Sequence, residues 1–176
     1  MEVLNDAYFN TKCQGSSTVC ILTITCDKVH VVNVGDSGFV VIRDGLIVYK
    51  LEIQQKGFNS PFQLGNEEKS YYPSVAQEIK VPVKRGYVIV MESDGLFDNV
   101  HDYELEKLVC HELVDLRKLG TFSQMLEQKI VEYAMQNSES KTICTPFAGE
   151  CSKVGKRRVG GKHDDITAIV AHILPL

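Results

Sequence analysis

No apolar run in these 176 residues approaches the roughly 20 needed to cross a bilayer, so a membrane-spanning role is not expected. The N-terminus lacks a basic segment followed by a long apolar stretch and does not read as a secretory signal. Internal repeats and low-complexity tracts are missing, which argues against a repeat architecture. Cys13, Cys20, Cys26, Cys110, Cys144 and Cys151 form no C-x-x-C pair. They are expected to be reduced thiols acting as small hydrophobes, in an intracellular compartment, cytoplasmic or mitochondrial. A zinc site built from Cys144, Cys151 and His163 would lack the compact spacing of zinc modules. No Cys-x5-Arg loop occurs, which disfavours a covalent cysteine mechanism, and no Gly-rich Lys-Ser/Thr loop cradles a nucleotide phosphate. A formal net charge of −4 disfavours a general nucleic-acid or anionic-membrane partner.

What is present is acid at the ends of strands. Tyr87-Val88-Ile89-Val90-Met91 reads as a strand and leads into Ser93-Asp94-Gly95-Leu96-Phe97-Asp98-Asn99. Gly95 permits a sharp turn there, and a helical turn would put Asp94 and Asp98 on one side. Two bare carboxylates about 4 Å apart repel by about 4 kcal/mol at an effective dielectric near 20, so a proton, a basic side chain or a cation must offset them. On this segment alone a plain helix cap explains the acid as well as a metal does. Two further segments repeat the pattern. Gly160-Gly161-Lys162-His163-Asp164-Asp165 runs into the strand-like Ile166-to-Ile173 stretch, and Gly35-Asp36-Ser37-Gly38 lies between Val31-to-Val34 and Phe39-to-Ile42. Three such turns suggest strand ends converging on one acidic site.

The length suits a single domain with a substantial core. Strands are expected over Val19-to-Cys26, Val29-to-Val34, Phe39-to-Arg43, Leu46-to-Leu51, Val75-to-Val83 and Tyr87-to-Glu92, with Asp44-Gly45 as a hairpin turn. Their near-continuous apolar runs predict burial on both faces. Residues Gln54 to Tyr72 and Asn137 to Lys162 are expected to be long loops, the second with a basic, solvated cluster of Lys153, Lys156, Arg157, Arg158 and Lys162. Such a cluster could also steer a phosphorylated substrate. Helical spacing of Leu105, Leu108, Val109, Leu113 and Leu116 predicts a helix from Asp102 to Lys118. A second helix, to about Gln136, should start at a Thr121/Gln124 capping box and turn Phe122, Met125, Leu126, Ile130, Tyr133 and Ala134 inward. His30, His111 and His172 are expected to be satisfied structural residues.

The motifs Gly15-Ser16-Ser17-Thr18, Gly35-Asp36-Ser37-Gly38, Ser93-to-Asp98 and Asp164-Asp165-Ile166-Thr167 occur in an order that resembles metal-dependent type-2C (PPM-class) Ser/Thr phosphatases. Phe58-to-Leu64, Thr145-Pro146-Phe147-Ala148, Gly160-Gly161-Lys162 and Gly38 resemble the organellar branch of that class. The resemblance covers essentially the whole chain. It implies an α+β fold, an αββα sandwich of mostly antiparallel sheets flanked by helices, here without the family's N-terminal strands. Residues 1–176 would be the C-terminal portion of one such domain, with Met1-to-Phe9 as the tail of an upstream helix. The family's upstream Asp-Gly pair, which bridges the metals, and its suspected proton-donating His have no counterpart here, and Asp44-Gly45 does not replace the pair.

The resemblance further implies a Mn²⁺ or Mg²⁺ centre with Asp94 and Asp164 as terminal ligands, and a weaker third-metal position using Asp36 and Asp98 with Asp94. Asp165 would organise the turn. In this class no side chain attacks; water activated between two cations does, and the substrate is a phosphoprotein. The isolated chain is expected to be inactive or weakly active and prone to self-association through exposed sheet edges. The alternative reading is a non-catalytic pseudophosphatase that binds phosphoproteins or a regulator.

Overall fold

The protein, as a computed structural model, is described over residues 1–113 and 120–174. Its contacts divide it into two compact units, one of Met1–Gly38 with Glu52–Lys84, the other of Phe39–Leu51 with Arg85–Leu176.

In the first unit, β2 (Val19–Ile24), β3 (Lys28–Val34) and β9 (Gln77–Pro82) form an antiparallel sheet with β3 in the middle. Burial alternates along β3 and β9, and β2 has no fully buried residue. The expected burial on both faces therefore does not hold here: a period-2 pattern leaves one face of the sheet partly wet. Helix α1 (Glu2–Asn10) covers the stretch expected to be a helix tail. It inserts Leu4 into a cluster with Val34 and Leu64, flanked by Tyr8, Ile21 and Phe62.

The segment from Gln54 to Tyr72 is not a plain loop. Strands β6 (Gln55–Gly57) and β7 (Ser60–Pro61) pair with each other, and β8 (Leu64–Gly65) pairs with β1 (Ser16–Ser17). Phe62 stacks on Tyr71 with ring centres 4.3 Å apart, and the Tyr8 hydroxyl donates to the Gly65 carbonyl at 2.9 Å. Pairings of two or three residues are too short to show periodicity, so their stability must come from such distant contacts.

In the second unit the sheet order is β11 (Ala168–His172), β10 (Val88–Glu92), β4 (Gly38–Arg43), β5 (Leu46–Lys50). The β4–β5 connection is the expected hairpin: Asp44 and Gly45 both have positive φ, 51° and 81°, as a type I′ turn requires. Here both faces of the inner strands are buried. Val40, Ile42, Val88 and Val90 face a core completed by α3 (Asp102–Leu113) and α4 (Phe122–Glu139), while Phe39, Val41 and Ile89 are buried on the opposite face. Leu105 and Val109 come from α3, and Phe122, Leu126, Ile130 and Ala134 from α4. The expected continuation of α3 through Leu116, Arg117 and Lys118 lies outside the described residues.

Two local expectations are corrected. Thr121 is the N-cap of α4 but makes no capping bond; its hydroxyl donates instead to Met125 Sδ at 3.5 Å. The expected second long loop contains a helix, α5 (Pro146–Lys153), whose N-cap Thr145 accepts from the Ala148 N–H and whose first residue is Pro146. That pairing of a Thr cap with Pro at the first helical position is a legible start signal.

Two side chains with buried, unpaired polar atoms stand out. His172 on β11 packs against Phe122, but its Nδ1 has no partner, so it is not the satisfied residue expected. Burial holds its imidazole below the usual histidine range. Glu92, paired in register with Ala168, is 3% exposed, and neither carboxyl oxygen is hydrogen-bonded. Desolvation raises its pKa well above the ordinary carboxylate value, despite opposing attraction from Lys50. A carboxyl raised in this way favours the fold while protonated in both states. That contribution is lost as pH rises from the unfolded-state value through the folded-state value. Glu92→Met should therefore stabilise the protein by about 1–3 kcal/mol at neutral pH, with a smaller gain near pH 4. Urea denaturation at the two pH values checks both the sign and the trend.

Candidate metal centre

The site is assembled by the β10–β11 ladder. Beyond the last pair, Glu92 with Ala168, the Ser93 N–H donates to the Thr167 carbonyl at 3.1 Å. The Ser93 hydroxyl accepts from the Thr167 N–H at 3.0 Å and donates to the Asp165 carbonyl at 3.0 Å. These bonds hold the turn that carries Asp164 beside the single helical turn α2 (Asp94–Phe97). Asp94 opens α2 and Asp98 closes it, the Asp98 N–H donating to the Asp94 carbonyl at 2.8 Å.

Gly95 has a role different from the one expected. Its φ is not positive. A Cβ there would instead meet the Asp165 carbonyl oxygen at 2.4 Å and the Asp164 Cβ at 3.3 Å. Glycine is needed because the acidic turn lies directly against the helix backbone.

Asp94, Asp98 and Asp164 each offer a carboxylate oxygen within 4.8 Å of the others, the one such group among the described residues able to hold a metal. Cys144, Cys151 and His163 form no comparable group among the described residues. Asp36, also expected near a metal, belongs to the first unit, buried in the turn between β3 and β4. It is not one of the three.

Between the three carboxylates lies a residue that sequence reasoning assigned to a solvated loop. Lys162 Nζ donates to Asp94 Oδ2 at 2.8 Å and Asp98 Oδ2 at 2.6 Å, and it stands 2.8 Å from Asp164 Oδ2. Its side chain is only 13% exposed. Burial works against the ammonium, but hydrogen bonds to Asp164, Asp94 and Asp98 outweigh it and hold its pKa above the ordinary lysine range. Asp98 shifts upward, because burial outweighs the lowering by Lys162. Asp164, about a third exposed, shifts downward: the bonds from Lys162 and the Asp165 N–H, with His163 nearby, exceed its desolvation. With all three acids ionised and Lys162 protonated, the cluster carries a charge of −2. Hard oxygen donors converging on one point, already occupied by a positive group, fit a divalent metal ion.

Asn99 fixes the backbone on either side of this lysine. It is fully buried, and its Nδ2 donates to the Gly95 carbonyl at 2.7 Å and the Lys162 carbonyl at 2.8 Å. Its Oδ1 accepts from the Lys162 N–H at 2.9 Å. Gly161 presses the same loop onto the end of α4, where a Cβ would meet the Asn137 carbonyl oxygen at 2.1 Å. The ring of Phe147, on α5, lies under both Lys162 and Arg158, at 5.1 and 4.9 Å from its centre. Neither Asn99 nor Lys162 was singled out for the site in the sequence. The available signal was the Gly-Gly pair preceding Lys162, which marks close backbone packing.

Gly95→Ala tests this packing by its sign. Ala normally stabilises a helical position by about 0.5–1 kcal/mol relative to Gly. Here it should destabilise by about 1–3 kcal/mol, because the Asp165 carbonyl must move. Urea denaturation decides between the two outcomes.

No protein-family model matches the chain. Among curated proteins it is 39% identical over 171 residues to "Probable protein phosphatase 2C 55" of Arabidopsis thaliana, covering 97% of this chain and 36% of that protein. It is 35% identical over 167 residues to "Protein phosphatase PTC7 homolog" of Homo sapiens, covering 89% of this chain and 54% of that protein. The chain thus spans about a third to a half of the length of these relatives. Among solved structures, the photosystem II phosphatase PBCP superposes with a TM-score of 0.86 at 28% identity, over 99% of this chain and 71% of that one. A Mycobacterium tuberculosis Ser/Thr phosphatase, PstP, shares the fold at a TM-score of 0.59 and 15% identity, over 99% of this chain and 67% of that one. Helices combined with antiparallel sheets, acidic motifs in order and these likenesses agree: the chain belongs to the type-2C, or PPM-class, protein phosphatase family.

Proposed function

We propose that residues 1–176 belong to a Ser/Thr phosphoprotein phosphatase domain, in which Asp94 and Asp164 are metal ligands and Asp98 serves a weaker, additional metal position. The observation that carries this reading is the convergence of three carboxylates from α2 and the β11 turn on one point. The type-2C names of its relatives support it, as does the pair of manganese ions in the PstP catalytic domain, a protein that shares the fold. Bound Mn²⁺ or Mg²⁺ would supply activation of water and stabilisation of charge on the phosphoryl oxygens.

This chain's own residues have three tasks. Asp94 and Asp164 present hard oxygen donors at a fixed separation. Ser93, Asn99 and Gly95 keep the two backbones that carry them in contact. The segment after α5 presents exposed Arg157 and Arg158 on the loop that leads to Lys162, suited to guiding a phosphorylated protein. Lys153 contributes less, being paired with Glu150 at 2.5 Å. Six free cysteines suit a reducing compartment, cytoplasmic or mitochondrial. No helix among the described residues is long and apolar enough to cross a membrane.

The test is Mn²⁺-dependent phosphate release from a phosphothreonine peptide. It compares the 176-residue chain with the same chain extended at its N-terminus by the Asp-Gly-bearing strand segment of a type-2C phosphatase. The extended protein should turn over and the short one should be inactive or nearly so. Asp94→Asn should lower turnover of the extended protein by about 100-fold or more. Equal inactivity of both proteins, with retained phosphopeptide binding, would favour a non-catalytic binding module.

A further inference from the structure

We propose that Lys162 is a tethered cation that holds the acidic trio together in the metal-free protein and must leave it when a divalent ion enters. This rests on the reading of Asp94, Asp98 and Asp164 as a metal site, and adds that the chain supplies its own competitor for that site. The Lys162 ammonium is within 2.6–2.8 Å of one oxygen from each of the three carboxylates. A Mg²⁺ ion binds such oxygens at about 2.0–2.1 Å, so a metal held by the same three atoms would stand where Nζ now stands. The two cannot share the cage.

The surroundings allow the exchange without unfolding the turn. Both backbone groups of Lys162 are clamped by buried Asn99, so its Cα stays where it is. Only the four-carbon stem and its ammonium need to rotate outward, as a flexible lysine can and a rigid guanidinium fork would do less readily. The exit is short, because the neighbouring residues Gly161 and His163 are not buried. Charge supports the exchange. Without Lys162 the trio carries −3, which a single ammonium only partly offsets and a divalent ion offsets more fully. The metal-free fold is thereby protected from its own carboxylate repulsion, at the cost of a weaker apparent affinity for metal.

Two measurements on the 176-residue chain test this with Mn²⁺ as the probe. In the first, amine-selective acetylation is followed by mass spectrometry with a chelator and with saturating Mn²⁺. Lys162 should react much more slowly than exposed Lys84 without metal, and several-fold faster once Mn²⁺ is bound. In the second, titration calorimetry should show Lys162→Met binding Mn²⁺ tighter than wild type by about tenfold or more. The metal-free thermal midpoint of that variant should fall, and Mn²⁺ should restore it. If Lys162→Met does not fold, acetylation of the wild-type protein decides alone. Mn²⁺ binding with unchanged Lys162 reactivity, or with equal affinity for wild type and variant, overturns the displacement and leaves the metal reading standing. Absence of Mn²⁺ binding to either protein overturns the metal reading and the displacement with it.

Discussion

Like-charge repulsion among three carboxylates is the constraint around which the second unit is arranged. Asp94, Asp98 and Asp164 would drive their two backbone segments apart if nothing opposed them. Two kinds of interaction do so. One is electrostatic: the Lys162 ammonium is bonded to all three acids. The other is neutral and geometric: Asn99 ties α2 to the loop before Asp164, and Ser93 ties the end of β10 to the turn before β11. The neutral bonds do not depend on the identity of the cation. The carboxylates are therefore held close whether an ammonium or a metal ion lies between them.

The ladder beneath the site sets its precision. Antiparallel pairing from Val88 with His172 to Glu92 with Ala168 puts Ser93 opposite Thr167, and a slip by one residue would turn the acidic turn away from α2. The same ladder contains Glu92 and His172, each with buried polar atoms that have no partner. Their pKa shifts have a common cause, desolvation, and opposite signs, because burial disfavours the charged form of each. Each of these two residues gives up some stability, Glu92 at the end of the ladder next to the acidic site and His172 at the far end.

Much of the second unit was legible in the sequence. Val88-to-Glu92, Phe39-to-Arg43 and the Asp44-Gly45 turn follow from β-branched runs and positive-φ turn chemistry, and the inward face of α4 follows from its spacing. The first unit was less legible. Its β6, β7, β8 and β1 pairings involve two or three residues each, and contacts such as Phe62 on Tyr71 and Tyr8 on Gly65 hold them in place. Helix α5 was missed although Thr145-Pro146 announces it, because a basic run after it drew the segment toward a loop reading.

In the site, acidic residues at strand ends could be read from the chain alone, since carboxylates beside β-branched runs are a local feature. Their order along the chain, and so the family, could be read in the same way. The partner of those acids could not. Lys162 looks like one more charge in a basic loop. It becomes the centre of the cluster because folding brings distant Asn99 and Phe147 to it and packs its neighbour Gly161 closely: Asn99 clamps its backbone, Gly161 lets the loop press on α4, and Phe147 lies under its ammonium.

 The physical reason is range. Turn chemistry and strand propensity act between neighbours along the chain, so composition and order reveal them. The charge balance of the site acts through space, and only the folded backbone determines which cation three converging carboxylates share.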